Sequence, residues 1–540
     1  MAYWKLPIWI LLVSLIPALL NGQEEDAVLS PDRSIAEVVD FYLDRNLEEL
    51  ALSSARQATD SALLRRTTLD LVGRIPTVSE AQSYVSDTAS DKRLKMVDRL
   101  LASPGYRQHQ VHELGQLLHP DDSKKLQAYL TEAVKQNTSW DRIFRDLMLP
   151  PVKSEQAPEA DHFIKSRIGD IDKLANDTSV LFFGVNISCA KCHDHPLVEQ
   201  WKQSHFFGMK SFFSRTFANG DFLSERDYGA VQFKTTAGET KTAQLMFLSG
   251  KVVEEPAWKE PTEEEKKKLN KQLEELKKKK QPAPAPSFSR RNKLVEVALS
   301  SQEQVFFARN IVNRIWHRVF GHGLVMPLDQ LHEGNPASHP ELLQWLARDM
   351  IQHNYDLKRL IRGLVLSKAY IRQSHWEQGT RPDPEWFAVA NSKPLSRYQY
   401  GHSLQLASFN PDVFSADDEK QLQERLQRVY SQNGLAEQLD QPVQDFQVSS
   451  NEALLFSNSD RINEALLKDR NDSLIGKLKA LENDQQRIEL AYWTILNRPP
   501  NDDETKLLTT YLAARQERPL EGMQQLVWIL LTSTEFRFNH

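Results

Sequence analysis

Only two of the 540 residues are cysteines, and just two positions separate them along the chain. A disulfide framework for a chain of this size would need more cysteines at scattered positions. The fold must therefore depend on buried apolar cores, and a chain of this length is too long for a single core. We expect two or three domains.

Composition places the chain among ordinary globular proteins, with 26% charged residues, 40% hydrophobic residues and 9% aromatic residues. Its 20 glycines and the absence of a long heptad run exclude collagen-like and coiled-coil proteins, and the aromatic content excludes a wholly disordered chain. The 67 basic residues are outnumbered by 73 acidic ones, so no overall positive field attracts phosphates. We expect no nucleic-acid partner.

Residues 1–22 are predicted to be a signal peptide. Lys5 precedes an apolar run that reaches Leu20, and the acidic segment 23–26 follows. The run is shorter than the roughly 20 residues of a typical membrane-spanning helix, although an uncleaved membrane anchor is the competing interpretation. With cleavage near Gly22, the mature chain has no membrane span and is periplasmic or extracellular.

The two cysteines form a C-x-x-C-H motif, Cys189-Ala190-Lys191-Cys192-His193. Two thiols at this spacing on a helical turn can each form a thioether with a haem vinyl group, and the next imidazole can bind the iron. The motif therefore predicts haem c as cofactor. Cys189 and Cys192 would be its covalent anchors and His193 its proximal iron ligand.

Three other interpretations of the cysteine pair stay open. A structural zinc site could use Cys189, Cys192, His195 and His205, a set of sulfur and nitrogen ligands typical of zinc. A disulfide between the two cysteines would close a very short loop and constrain little of the unfolded chain. A thiol–disulfide redox site normally lies in a thioredoxin-like βαβ unit, and the surrounding sequence lacks that pattern.

His205 and Met209 are the candidates for a sixth iron ligand, because both follow the motif closely in sequence. A methionine ligand would favour a higher reduction potential than a second histidine. Core packing beside neighbouring phenylalanines is the alternative role for Met209. His195 is only two residues from His193 and would have to reach the opposite haem face, so we expect a structural role for it.

The hydrophobic periodicity predicts a mainly α fold with two helical domains. Helix starts are predicted at two capping boxes, Thr77 to Glu80 and Ser338 to Glu341. A small β insertion is predicted near 229–253, after the C-x-x-C-H segment, with strands at 231–235 and 245–248 on either side of a turn at 236–239.

Residues 256–286 are predicted to link the two domains. Runs of glutamate and lysine favour a solvated helix there, and Pro282, Pro284 and Pro286 end it in a stiff segment. The domains would then span 30–255 and 287–540. Four histidines concentrate in the second domain, but without carboxylates at ligand-like spacing we expect separate roles rather than a metal cluster for His317, His322, His332 and His339.

Several segments resemble a known pair of domains. The first resembles the planctomycete cytochrome-like DUF1549 (PSCyt2) domain, in residues 64–77, 97–104, 182–185, 189–196 and 201–203. The second resembles the DUF1553 (PSD1) domain, its habitual partner, in residues 307–316, 320–325 and 336–343. The resemblance implies export to the bacterial envelope and a haem motif at Cys189, Cys192 and His193.

We therefore expect an exported c-type cytochrome-like protein that transfers single electrons to and from an unidentified redox partner protein. The alternative is a non-redox extracytoplasmic binding or scaffold protein, in which zinc or a disulfide braces the C-x-x-C-H segment. The sequence assigns no catalytic residue, substrate or oligomeric state.

Overall fold

A computed structural model describes residues 29–151, 159–195, 198–414, 419–433, 439, 442, 452, 456 and 459–540. The predicted signal peptide at 1–22 lies outside them. Helices account for 56% of the structure and strands for 6%, which confirms the mainly α fold. In the part of the chain so described, no helix combines the length and the apolar character needed to cross a bilayer.

The helices before the cysteine motif pack around a shared apolar interior. In chain order α1 to α9 are Ile35–Glu49, Asp60–Val72, Val78–Ser86, Lys92–Ala102, Pro104–Leu118, Gln127–Lys135, Trp140–Met148, His162–Lys165 and Ile171–Phe183. The motif itself starts in a 3-10 turn, Ser188–Lys191, and α10 follows at Gln203–Phe213. The cysteines therefore lie on a connection between two helices.

Three short antiparallel hairpins follow α10, and they confirm the predicted β insertion. Their strands, β1 to β6, are Thr216–Asn219, Phe222–Glu225, Gln232–Lys234, Thr240–Thr242, Leu245–Met246 and Val252–Val253. The strands predicted at 231–235 and 245–248 correspond to β3 and β5, which pair with β4 and β6 respectively. Leu245, Phe247 and Leu248 are buried in the core, whereas β4 is exposed.

The regular secondary structure described after residue 253 is almost entirely helical. The helices α11 to α17 are Glu263–Lys278, Arg290–Ala298, Gln304–Phe320, Pro340–Gln352, Leu357–Val365, Arg397–Ser408 and Glu419–Asn433. The helices α18 to α23 are Asp460–Leu466, Leu474–Lys479, Asp484–Ile495, Asp502–Ala513, Pro519–Leu531 and Thr534–Arg537. Strands β7, Lys393–Pro394, and β8, Phe538–Asn539, pair with each other.

The two predicted capping boxes have different outcomes. Thr77 accepts a hydrogen bond from the Glu80 backbone N–H, and the Glu80 carboxylate accepts from the Thr77 N–H, as predicted. The box at Ser338 is wrong, because His339 is the residue that precedes α14 and its side chain makes no capping hydrogen bond. Ser338 instead donates its backbone N–H to the Leu324 carbonyl, which holds it outside the helix.

The largest buried cluster contains side chains from both sides of the segment 256–286. Phe307 of α13, for example, lies 5.2 Å from Phe144 and 6.4 Å from Phe182 between ring centroids. The predicted solvated helix is α11, which has no buried residue. A second buried cluster consists mainly of residues from Leu395 to Phe536. The predicted halves 30–255 and 287–540 thus share one core, and their bounds stay a prediction.

We predict that burial of neutral histidines makes the protein acid-sensitive. His402 is 1% exposed. Burial lowers its pKa to about 3, and the nearby His112, His109 and Arg74 add to this effect. Below about pH 6.5 the unfolded chain takes up a proton that the folded chain excludes, so stability falls as the pH drops from there towards 3. His402→Gln should reduce this loss by up to about 1.4 kcal/mol per pH unit, measured as the urea dependence of unfolding between pH 7 and 4.

The matched control is His375→Gln, which removes an exposed imidazole. Its unfolding curves should keep the pH dependence of the unsubstituted protein. Equal pH dependence in His402→Gln and in the unsubstituted chain would contradict the prediction.

Candidate functional site

The helix that leads into the cysteine motif is held at its end by side chains from α13. Gly184 ends α9 with a φ of 71°. The Val180 carbonyl already accepts from the Gly184 N–H, whereas the carbonyls after it belong to the last turn and need donors from outside the helix. Asn310 Nδ2 donates to the Leu181 carbonyl at 2.7 Å, and Arg314 Nη2 donates to the Val180 carbonyl at 2.7 Å. The charge of Arg314 also matches the negative end of the helix dipole.

A loop from the second half of the chain runs beside the residues that follow α9. The Leu331 N–H donates to the Gly184 carbonyl at 2.9 Å, and the Asn186 N–H donates to the Asp329 carbonyl at 2.9 Å. Asn186 Nδ2 also donates to Asp329 Oδ2 at 2.9 Å. These hydrogen bonds fix the backbone immediately before the first cysteine.

The thiols point outward from a turn whose other side is buried. Ile187 and Ala190 are fully buried, and the Ala190 N–H donates to the Ile187 carbonyl at 3.0 Å. Cys189 and Cys192 are both exposed and are not joined by a disulfide. The turn therefore presents two free thiols to solvent from a backbone anchored in the core.

His193 is also exposed, and a backbone contact fixes the role of its ring nitrogens. Nδ1 lies 2.7 Å from the Asp194 carbonyl oxygen. A carbonyl can only accept, so Nδ1 carries the proton and donates. In the neutral ring Nε2 is then the nitrogen with a lone pair available to a metal.

Gln203, at the start of α10, contacts the residues on both sides of His193. Its Nε2 lies 3.2 Å from the Cys192 carbonyl and 3.3 Å from the Lys191 carbonyl. Its backbone N–H donates to Asp194 Oδ1 at 3.1 Å. Its Oε1 accepts from the Thr236 N–H at 3.2 Å, in the turn between β3 and β4. One buried amide thus joins the cysteine turn to the hairpin.

Paired charges surround the turn. Asp172 accepts from Lys191 at 2.8 Å and from Lys210 at 2.6 Å, and Lys202 lies 3.3 Å from Asp194. Burial acts to raise the pKa of Asp172, but the hydrogen bonds from the two lysines outweigh it and the pKa is lowered. Asp172 is therefore ionised at neutral pH, and its charge is compensated locally.

Three aromatic rings lie together beside the turn. The ring centroids of His195 and Trp201 are 5.3 Å apart, and those of Trp201 and His332 are 5.4 Å apart. Burial lowers the pKa of His195, and the proximity of His193 adds to this effect. Burial, and then His195, lowers the pKa of His332. Both imidazoles are neutral at pH 7, which fits the structural role predicted for His195.

The two candidates for a sixth iron ligand are buried. Met209 is 0% exposed and belongs to the main apolar core. His205 is 9% exposed, and its Nδ1 accepts from the Lys202 N–H at 3.1 Å. Both side chains thus lie inside the protein, whereas both thiols lie at its surface.

Among the described residues, no three His, Cys, Asp or Glu side chains are grouped so that they could hold a metal ion. The side chains of the alternative zinc set, Cys189, Cys192, His195 and His205, are therefore not grouped in this way in the structure. The zinc site itself stays a prediction. The same observation covers the histidines at 317, 322, 332 and 339. Of these, His332 is the one that lies beside the cysteine turn.

Comparison with protein families identifies two regions of the chain. The family model of PSCyt2, described as a protein of unknown function (DUF1549), matches residues 38–218. The family model of PSD1, described as a protein of unknown function (DUF1553), matches residues 290–512. The chain contains a PSCyt2 domain followed by a PSD1 domain. No curated protein and no solved structure shows significant similarity to it.

Both regions contribute to the site. The PSCyt2 region supplies the cysteine turn and Gln203, whereas the PSD1 region supplies Asn310, Asp329 and His332. Sequence reasoning did not predict the roles of Gln203, Asn310, Asp329 and His332. The segment 201–203 did carry part of the family resemblance, but no local pattern distinguishes a glutamine that holds distant carbonyls from any other glutamine.

We predict measurable coupling between the two regions at Asn186 and Asp329. Substituting alanine for both residues, singly and together, should show an interaction free energy of about 1 kcal/mol, because the side-chain hydrogen bond needs both partners. Denaturant unfolding of the four proteins measures it. Strictly additive effects of the two substitutions would contradict the prediction. Lys165→Ala combined with Asn186→Ala is the additive control, since no hydrogen bond links that pair.

Proposed function

We propose that the protein is an exported c-type cytochrome-like protein that binds haem covalently through the C-x-x-C-H turn and transfers single electrons. The observation that carries this proposal is the exposure of two unpaired thiols directly beside an exposed imidazole. Cys189 and Cys192 would form the thioethers, and His193 would bind the iron. A bound haem would supply reversible one-electron chemistry.

The donor set fits the group. Thioether formation requires two thiols that are accessible and not oxidised, and both cysteines meet this requirement. Iron binding requires an imidazole lone pair, and the hydrogen bond from His193 Nδ1 to the Asp194 carbonyl leaves that lone pair on Nε2. The protein residues thus orient the ring before any group is attached.

The alternative zinc site fits less well. His195 is 7% exposed and packs edge-on against Trp201, while His205 is buried with Nδ1 already in use. Bringing both imidazoles to the exposed thiols would require the turn to move inward. A haem tethered at the surface requires no such movement and would be reachable by a redox partner protein.

The proposal includes export, because segment 1–22 has the pattern of a signal peptide. Haem c is also attached on the extracytoplasmic side of a bacterial membrane. Asp172 is paired with both Lys191 and Lys210, which leaves a small net positive charge beside the turn.

We predict covalent haem in the full chain after expression in a host with cytochrome c maturation. The expected results are a pyridine haemochrome spectrum of c type and an intact mass increased by one haem. Cys192→Ser removes one thioether and should lower the covalent yield at least tenfold. His193→Gln keeps both thiols but removes the proximal ligand, so it should change the ferric haem spectrum.

His375→Gln, which alters an exposed imidazole outside the site, should retain the haem content and spectrum of the unsubstituted protein. Colourless protein with one equivalent of zinc, or with a mass two units lower from a disulfide, would contradict the haem proposal. Such a result would favour the non-redox scaffold instead.

A further inference from the structure

We propose that Gln203 is a positioning residue for the cysteine turn. Through hydrogen bonds from its side-chain amide it sets the orientation in which Cys192 and His193 are presented. The proposal rests on the proposed haem function for its consequence, but its structural step can be measured without haem.

Both the nitrogen and the oxygen of the Gln203 side-chain amide make hydrogen bonds. The two Nε2 protons are shared among three carbonyl oxygens, those of Cys192 at 3.2 Å, Lys191 at 3.3 Å and Lys234 at 3.4 Å. The Oε1 atom accepts from the Thr236 N–H. Gln203 is 6% exposed, so water cannot easily replace these partners.

The contacts enclose His193 from both sides. Gln203 Nε2 binds the carbonyl of Cys192, the residue before it, and the Gln203 N–H binds the carboxylate of Asp194, the residue after it. The His193 ring then follows the backbone, because Nδ1 donates to the Asp194 carbonyl. One residue on α10 thereby determines the direction of both the second thiol and the imidazole.

The β3–β4 hairpin, on the other side of Gln203, packs against α10. The hairpin that holds Thr236 is secured by the stack of Phe233 on Phe207 of α10, with ring centroids 4.3 Å apart and planes within 11°. Movement of the cysteine turn therefore requires breaking the amide contacts rather than shifting the hairpin with it.

Two substitutions separate positioning from packing. Gln203→Leu keeps the approximate size and removes every amide hydrogen bond. Gln203→Glu keeps the shape, but at neutral pH its carboxylate would face carbonyl oxygens without a proton to donate. Burial among carbonyls raises the pKa of such a carboxyl group, so at pH 5 it regains a hydroxyl donor while its other oxygen still accepts from Thr236.

The experiment is hydrogen–deuterium exchange of residues 189–195 in the full chain, at pH 7.5 and pH 5, with each rate divided by that of the unsubstituted protein. Gln203→Leu should exchange about tenfold faster at both pH values, as expected for the loss of buried hydrogen bonds. Gln203→Glu should exchange about tenfold faster at pH 7.5 and within twofold of the unsubstituted protein at pH 5. Gln200→Leu, an exposed glutamine on the same loop, should leave the rates unchanged.

The haem-carrying proteins give the second measurement. Gln203→Leu should shift the reduction potential and the ferric spectrum through a changed orientation of His193, whereas Gln200→Leu should not. Unchanged exchange in Gln203→Leu, or in Gln203→Glu at pH 7.5, would overturn the positioning role. If the unsubstituted protein carries no haem but the exchange results hold, the proposed haem function fails and the positioning of the turn stands.

Discussion

The structure around the cysteine turn depends on the capture of the end of α9 by α13. A helix ends with four carbonyls that lack intrahelical partners, and a buried helix end needs donors from elsewhere. From the PSD1 region, Asn310 supplies a donor to the Leu181 carbonyl, and Arg314 adds a second donor to the Val180 carbonyl, which also accepts from the Gly184 N–H. An added Cβ at Gly184 would lie 2.8 Å from Asn310 Oδ1 and 2.5 Å from Leu331 Cδ1, so the contact requires glycine there. The position at which the chain leaves α9 is thus set by residues more than a hundred positions away.

The cysteine turn combines an exposed surface with a fixed backbone. The loop around Asp329 holds it on the side of α9, and Gln203 holds it on the side of α10. Exposed loops are usually mobile, because few contacts offset their conformational entropy. Here the entropy loss is offset by buried Ile187 and Ala190 and by part-buried hydrogen bonds to Asp329 and Gln203. A surface site can therefore keep a defined geometry without a deep pocket.

The sequence predicted those features that depend on interactions between residues close together in the chain. Helical periodicity and the box at Thr77 predicted the helices correctly, since those interactions lie within a few residues. The order of the two domains followed from motifs spread along the chain. The strands β3 and β5 were predicted, but their partners β4 and β6 were not, because such short segments carry little alternation of their own. The roles of Asn310, His332 and Gln203 were not predictable from the sequence, because each acts across a separation that no local pattern encodes.

The protonation states at the site follow from where each imidazole lies. Burial lowers the pKa of both His195 and His332; His193 adds to the effect at His195, and His195 adds to it at His332, so both imidazoles are neutral at pH 7. The lysines near the turn are paired with carboxylates. The imidazole of His193 is exposed, so a metal held there would be in contact with water. Under those conditions its potential is governed by ligand identity and ring orientation rather than by burial. Control of orientation by the backbone contacts of Cys192 and Asp194 then becomes the principal means by which this fold can tune the site.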